Sequence, residues 1–305
     1  MTMKPTSIYL LLTLLTLSLA GCRHHKSLDD ENLTDSERLE VLDFRIEKHP
    51  KDAEAYAERA AVLMNLGRAK EASYDAARAV ELDPDNVTYR LRQADVCFAN
   101  GNVEDSYKAL SEAEKLDPES IEVQLKMGEV TFYSRDYDRS LRCLSNVTEK
   151  EPENRTALFM KGFIYKEKGD TVNAVGLLRK VCDLYPDYAP AFEELGVLYA
   201  TRLDPMAVEY LGTALRLEPS NTNSLYALAM YHQERGEMEE AESLYRNILD
   251  INENSADAWH NLGYIEMLHY RDYQRAVEYF DHALECDPNM EAAQVNRQLA
   301  LDAMK

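Results

Sequence analysis

The chain has 305 residues, of which 55 are acidic and 34 are basic, so its formal net charge is −21. A surface this acidic repels phosphate backbones, which argues against nucleic acid as a partner. Most of the charge is expected to form a solvated exterior that keeps a long chain soluble.

The N-terminal segment has the pattern of an export signal. Lys4 precedes an apolar run from Ile8 to Leu19. That run is too short for a convincing membrane span, which needs about 20 apolar residues. Residues 1–21 are therefore predicted to be a signal peptide.

The signal ends in a motif that carries a second prediction. Leu19-Ala20-Gly21-Cys22 resembles a bacterial lipobox, and the resemblance implies cleavage before Cys22 and lipidation of that residue. An ordinary signal peptide with a coincidental cysteine is the alternative. Arg23 stands where the inner-membrane retention signal of such lipoproteins has Asp, so the resemblance implies the outer membrane, on either its periplasmic or its surface side.

A tether and a cap are predicted between the lipobox and the first full repeat. Residues 22–33 comprise the lipidated cysteine and a stretch without apolar periodicity, which is typical of a flexible tether. Thr34 followed by Glu37 is a capping-box pattern that opens a helix. That helix ends at Pro50, so residues 34–52 are interpreted as an N-terminal capping half-repeat.

Prolines recur at a nearly constant interval along most of the chain. They are Pro50, Pro84, Pro118, Pro152 and Pro186 at intervals of 34 residues, then Pro219 and Pro288. Proline interrupts helices, and a period of this length is typical of stacked helical units. We predict seven repeats over residues 53–290, at 53–86, 87–120, 121–154, 155–188, 189–221, 222–255 and 256–290, with a capping helix at 291–305.

Two positions within the repeat have small residues. The eighth position, where paired helices must approach closely, holds Ala60, Ala94, Gly128, Gly162, Gly196, Ala229 and Gly263. The fifteenth, where the chain turns, holds Gly67, Gly101, Gly169 and Gly236. Repeat 189–221 lacks one residue and repeat 256–290 has one extra. We expect the turns, at 203–205 and 270–273, to absorb both changes.

These features together resemble one repeat family. Trp259-His260-Asn261-Leu262-Gly263 is close to the W-x-x-L-G start of the tetratricopeptide repeat, and the match extends over about residues 53–288. The chain thus resembles tetratricopeptide repeat lipoproteins of the bacterial envelope. The resemblance implies an all-α fold, a right-handed α-solenoid of helix-turn-helix repeats with terminal capping helices. It also implies that first helices line a groove, with positions 2, 5, 9, 12 and 13 facing a partner.

The predicted groove is both aromatic and acidic. Its candidate partner-binding residues are Phe98, Glu129, Phe132, Tyr133, Phe159, Phe163, Tyr226, Met230 and Tyr264. The groove positions include eight acidic residues and one base, Lys166. We expect apolar or basic segments, extended or helical, because rings accept apolar anchors while carboxylates select Lys or Arg. The alternative is that some rings turn sideways into packing between helices.

Signals for catalysis are lacking in the sequence. It has no G-x-S-x-G and no H-E-x-x-H, and its glycines are used by the repeats or the lipobox, apart from Gly176 and Gly212. We therefore predict no enzyme activity, no cofactor and no metal site. Cys97, Cys143, Cys182 and Cys286 form no C-x-x-C motif, and both disulfides and buried thiols remain open.

The sequence favours a non-enzymatic, lipid-anchored adaptor or scaffold for envelope assembly, secretion or the organisation of cell-wall enzymes. A surface glycan-binding lipoprotein is one alternative, since exposed aromatic rings also stack on sugars. A structural homo-oligomer is another, because groove and edge faces can self-associate.

Overall fold

The computed structural model describes residues 33–305, so the predicted signal peptide, Cys22 and most of the tether lie outside it. Within this range the protein has 16 α-helices and no strand. The predicted all-α solenoid of helical repeats is confirmed. The chain divides between Arg135 and Asp136 into two compact units, here called unit 1 and unit 2.

Unit 1 contains six helices. They are α1 (Asp35–Lys48), α2 (Ala53–Asn65), α3 (Ala69–Leu82), α4 (Val87–Ala99), α5 (Val103–Leu116) and α6 (Ile121–Tyr133). The first helices of its repeats are α2, α4 and α6, and the second helices are α3 and α5. Thr34 caps α1, since its side chain accepts from the Glu37 N–H and the Glu37 carboxylate accepts from the Thr34 N–H.

Unit 2 contains ten helices and one π-helical turn. The helices are α7 (Tyr137–Lys150), α8 (Arg155–Glu167), α9 (Thr171–Leu184), α10 (Ala189–Ala200), α11 (Met206–Leu217), α12 (Thr222–Glu234), α13 (Met238–Ile251), α14 (Ala256–Ile265), α15 (Tyr273–Cys286) and α16 (Glu291–Ala303). Its first helices are α8, α10, α12 and α14. In residues 33–305 no helix is both long enough and apolar enough to cross a bilayer.

Most first helices begin at a side-chain cap two residues after a repeat proline. Asp52, Asn86 and Ser120 in unit 1 each accept a hydrogen bond from the backbone N–H three residues further on. Asn154, Asn221 and Ser255 do the same in unit 2. Such a cap satisfies a backbone donor that has no partner within the helix, so the repeating pattern fixes where each helix begins.

Paired helices approach closely at the eighth repeat position. A Cβ atom built on Gly196 would lie 2.6 Å from Cγ of Leu211, and one on Gly263 would lie 2.8 Å from Cε1 of Phe280. At Gly162 the corresponding distance to Cγ of Leu178 is 3.0 Å. The facing leucines and Phe280 are fully buried. The absence of a side chain at these glycines therefore lets the large residue of the second helix pack against the backbone of the first.

The turn inside the repeat uses a left-handed residue even where glycine is missing. Gly67, Gly101, Gly169 and Gly236 have φ angles of 70–78°. Arg135, Leu203 and Arg271 adopt φ angles of 59°, 55° and 58° at the equivalent turns. The same backbone geometry is thus imposed on three residues whose Cβ atoms disfavour it.

Our expectation that turns absorb the length changes is wrong for the long repeat, where the first helix absorbs the extra residue. In the short repeat, Leu203 keeps the left-handed conformation, but both the link and the second helix change. The link has five residues, 201–205, instead of three, and α11 has 12 residues instead of 14. In the long repeat, the extra residue widens the end of the first helix into a π-helical turn at Glu266–Tyr270. A turn with one required left-handed residue tolerates insertion poorly, while a π-helical turn accommodates one extra residue within the helix.

Candidate functional site

Three predicted groove aromatics of unit 1 form a cluster. The Tyr133 ring lies 5.0 Å from the Phe98 ring and 5.5 Å from the Phe132 ring, measured between centroids, and both contacts are edge-to-face. Phe98 ends α4 and the other two end α6, so the cluster joins first helices of successive repeats. We call these three residues the aromatic cluster.

The aromatic cluster is open to solvent on one side. Tyr133 is 61% exposed, whereas Phe98 and Phe132 are half-buried. Glu129 is also half-buried and lies one helical turn before Tyr133 on α6. An exposed ring supported by two half-buried rings is a surface on which an apolar side chain can settle without displacing core residues.

The predicted aromatics of α8 in unit 2 are held more firmly in the packing. Phe159 lies 5.3 Å from Tyr188, edge-to-face, and packs against the core around Leu178. Phe163 lies 6.4 Å from Phe159, and Nζ of Lys166 is 4.8 Å from the centre of the Phe163 ring. The sideways-packing alternative thus describes Phe159, while Phe163 is covered by a cation.

The remaining predicted residues also support neighbouring core residues. Tyr226 lies 6.0 Å from the buried Tyr245, whose hydroxyl contacts the Met230 sulfur at 3.1 Å. Tyr264 packs against the cluster that contains Phe280. These three residues are half-buried, so each offers only part of its surface to a partner.

Charge pairing across repeats reduces the acidity predicted for the groove. Nζ of Lys126 on α6 lies 2.5 Å from Oδ1 of Asp95 on α4. In unit 2, Nζ of Lys166 lies 2.5 Å from the Glu194 carboxylate, and Asn221 donates to Glu193 at 2.7 Å. Lys126 and Glu194 occupy the sixth repeat position, which is not one of the predicted groove positions. Each of these residues lies 28–31 residues from an opposite charge at a groove position, and this spacing is the sequence signal that could have revealed the ion pairs.

A cavity of about 370 Å³ opens between the first helices α2 and α4 of unit 1. Glu54, Ala57, Glu58 and Ala61 line it from α2, and Asn86, Thr88, Tyr89 and Arg92 line it from the start of α4. Glu54, Ala57 and Ala61 stand at positions 2, 5 and 9 of the repeat, so three predicted groove positions line this cavity from α2.

Cysteines and potential metal ligands occur along residues 33–305. Cys97, Cys182 and Cys286 are free thiols, and Cys143 and Cys182 are buried. Burial raises the pKa of Cys182 to about 12, so its thiolate is scarce near neutral pH. Among residues 33–305 no group of three or more His, Cys, Asp or Glu side chains could hold a metal ion.

Repeated pairs of packed helices define a class of proteins, the α-solenoid scaffolds. The profile of the tetratricopeptide repeat matches residues 64–121, 125–189, 205–256 and 226–291, which together make up more than half of the chain. The chain therefore belongs to the tetratricopeptide repeat family. Members of this family are generally non-enzymatic scaffolds for protein interaction.

Curated relatives match only part of the chain. Superkiller protein 3 of Schizosaccharomyces pombe is 32% identical over 111 residues, which are 34% of this chain and 8% of that protein. The BBSome complex member BBS4 of Bos taurus is 28% identical over 105 residues, which are 34% of this chain and 20% of that protein. The match thus spans no more than a fifth of either relative.

Solved structures share the fold at low sequence identity. A tetratricopeptide repeat protein from Parabacteroides merdae has a TM-score of 0.61 at 15% identity, covering 82% of this chain and 98% of its own. The APC/C hetero-tetramer Cut9–Hcn1 has a TM-score of 0.62 at 15% identity, and the match covers 86% of this chain and 52% of that chain. YrrB, described as having an unusual peptide-binding site, has a TM-score of 0.50 at 23% identity. The match covers 62% of this chain and 98% of that chain.

Proposed function

We propose that this protein is a lipid-anchored adaptor of the bacterial envelope that binds segments of partner proteins on its first helices. Its role would be to hold components of envelope assembly, of secretion or of cell-wall enzyme systems near the membrane. The observation that carries the proposal is the aromatic cluster, whose central ring, Tyr133, is 61% exposed.

The aromatic cluster fits the requirements of a binding anchor. Tyr133 contacts Phe98 and Phe132 edge-to-face, so the exposed ring is supported from two sides. Tyrosine supplies a large apolar area with few rotatable bonds, which lowers the entropy lost on binding. An apolar side chain of the partner would cover Tyr133, and Glu129 one turn away would favour a Lys or Arg next to it in the partner.

Binding should depend on the exposed ring more than on the charge. Truncating a central interface anchor commonly costs about 2 kcal/mol or more, which corresponds to a roughly 30-fold loss of affinity. Neutralising Glu129 should cost less and mainly at low salt, since exposed charges are screened. Because Tyr133 is largely exposed before binding, its truncation should leave the fold nearly as stable as before.

The binding test uses the full chain as bait in envelope extract. Tyr133→Ala should lose a specific partner that the wild type captures, and a photo-crosslinker in place of Phe98 should label that same partner. Tyr74→Ala is the matched control, because Tyr74 is 66% exposed but lies on the second helix α3. If Tyr74→Ala abolishes capture while Tyr133→Ala retains it, the first-helix surface is not the binding site.

The anchoring part of the proposal rests on the lipobox-like sequence ending at Cys22. Several acyl chains would hold the protein at a bilayer stably, because each buried methylene contributes about 0.8 kcal/mol. Cys22→Ala should release the protein from the membrane pellet after cell fractionation and should remove incorporation of labelled palmitate. Equal sedimentation of variant and wild type with the outer membrane would contradict lipid anchoring.

A further inference from the structure

The cavity between α2 and α4 has walls of different character. Its apolar lining consists of Ala57 and Ala61 on α2 and Tyr89 on α4. Glu54 and Glu58 rise on the α2 side, while Arg92 stands on the α4 side. A volume of about 370 Å³ is large enough for one long side chain together with the backbone from which it projects.

The α2 side of this cavity is short of positive charge. The Arg45 guanidinium forms ion pairs with three carboxylates, those of Asp52 at 2.7 Å, Glu54 at 2.6 Å and Glu58 at 3.2 Å. Arg38 adds a second, more distant positive charge that acts on Glu58, so three negative charges against two positive charges leave this group at −1. Glu58 has the longest of the three contacts. Burial raises the pKa of Glu58, against the opposing effect of Arg45, so its charged form is incompletely compensated where it stands.

The α4 side of the cavity has a positive charge without a carboxylate partner. Arg92 lines the cavity, and within residues 33–305 no carboxylate forms an ion pair with it. A ligand that fits both sides must therefore place a cation near Glu58 and a hydrogen-bond acceptor near Arg92. A basic residue in a peptide has both, because its side chain ends in a cation and its backbone carbonyl oxygens accept hydrogen bonds.

We propose that this cavity binds an arginine side chain of an extended peptide segment, with the guanidinium on Glu58 and a backbone carbonyl of the same segment on Arg92. The three-carbon stem would lie on Ala57 and Ala61, which removes apolar surface from water. Arginine fits better than lysine because its planar fork can bond both carboxylate oxygens of Glu58 while one face rests against Tyr89. The inference rests on the proposed role of the first helices in binding partner segments, and it specifies one residue type for one place.

Matched peptides test the charge requirement directly. The probes are acetyl-Gly-Xaa-Gly-amide peptides in which Xaa is arginine, citrulline or glutamate. They are titrated into the full chain in detergent micelles, with the methyl groups of its alanines labelled for NMR. Citrulline has the shape of arginine without its charge. The arginine peptide should shift the Ala57 and Ala61 methyl signals and bind about tenfold more tightly than the citrulline peptide.

Two substitutions locate the effect. Glu58→Gln should lower the affinity for the arginine peptide to about that for citrulline. Glu71→Gln is the control. Glu71 is an exposed carboxylate of the same unit that pairs with Arg68 at a distance of 2.7 Å, and it does not line the cavity. It should change nothing. The wild-type comparison of arginine with citrulline decides the question even if Glu58→Gln alters the fold.

Three results would overturn the inference. They are equal affinity for arginine and citrulline, tighter binding of the glutamate peptide, and an absence of shifts at Ala57 and Ala61. These results are separable from those of the capture experiment. Loss of arginine binding with Tyr133-dependent capture intact removes only the cavity assignment. Arginine binding without any Tyr133-dependent capture removes the adaptor role and leaves the cavity assignment in place.

Discussion

Arg59 and Asp75 form a two-pronged ion pair between the first and second helices of one repeat. Nε and Nη2 of Arg59 each donate to one carboxylate oxygen of Asp75 at 2.7 Å. The Asp75 side chain is only 3% exposed, and its hydrogen bonds raise the pKa of Arg59 above its ordinary value. Because the Asp75 carboxylate is buried between α2 and α3, the stability of the repeat depends on both partners being present.

Removing the cation should be costly because it leaves a buried carboxylate uncompensated. We expect Arg59→Met to destabilise unit 1 by about 3–5 kcal/mol in urea-induced unfolding followed by circular dichroism. Arg68→Met is the matched control, since Arg68 pairs with Glu71 on the surface, where solvent screens the pair, and its removal should cost far less. Equal losses for the two variants would show that the Arg59–Asp75 pair is not a structural element.

Glycine should be the better residue at the left-handed turns that lack it. Leu203 has a φ angle of 55°, which is unfavourable for a residue with a Cβ atom. We expect Leu203→Gly to raise the free energy of unfolding, measured by thermal unfolding, by about 0.5–1 kcal/mol. This value allows for the extra entropy of glycine in the unfolded chain. Gly176→Ala is the opposite control. Its Cβ would meet nothing within 4 Å in the middle of α9, so alanine should stabilise there. A loss of stability in Leu203→Gly would mean that its side-chain contacts outweigh the backbone strain.

The contact between paired helices should respond to a single methyl group in a graded way. A Cβ at residue 196 would lie 2.9 Å from the backbone nitrogen of Leu211, which cannot move as a side chain can. A Cβ at residue 162 would meet only side-chain atoms of α9, the nearest 3.0 Å away. We expect Gly196→Ala to cost about 1–3 kcal/mol and Gly162→Ala to cost less, as measured by thermal unfolding. The reverse order would show that side-chain crowding, and not the backbone contact, limits this position.

The last repeat should loosen in mild acid. Nδ2 of Asn296 on α16 lies 3.0 Å from Nε2 of His260 on α14, a contact that suits the neutral ring. Burial lowers the pKa of His260 below its ordinary value, with Asn261 and Asp257 opposing this effect. The unfolded chain therefore takes up the proton first as the pH falls below about 6.5. The contribution of neutral His260 to the free energy of unfolding is therefore fully present above that pH. It is lost as the pH falls through the lower pKa of His260 in the folded state.

Hydrogen exchange measures this effect locally. The protection factors of α16 amides should fall between pH 7 and pH 5, whereas those of α3 in unit 1 should change little. His260→Gln should remove the pH dependence, because glutamine cannot take up a proton. An unchanged pH dependence in the variant would assign the effect to another group.

The helices and their ends could be predicted from the sequence because they depend on neighbouring residues. Pro84 and Asn86 determine where α4 begins, and the cap of Asn86 reaches only three residues along the chain. The turn geometry was equally local where glycine was present. It could not be predicted at Arg135 and Leu203, where the stacked helices impose a left-handed conformation that the residue itself disfavours.

The candidate surface was predictable as a set of positions but not as a set of contacts. The repeat register gave Phe98, Phe132 and Tyr133 as groove residues, and these do cluster. The same register gave Phe159, which instead packs against Tyr188 and the core. Position in the repeat fixes the direction of the Cα–Cβ bond, whereas the rotamer depends on which neighbours fill the space beside it.

The sequence by itself determined the family, the period and the helix ends, since each arises from interactions within a few residues that recur in every unit. Only the tertiary structure decided which groups are exposed and which are paired. Tyr133 meets a ring 35 residues earlier, Asp95 meets a cation 31 residues later, and Asp75 meets Arg59 across the interior of a repeat. Such partners are separated by whole helices, so the packing of successive helices, and not the local sequence, sets the distance between them.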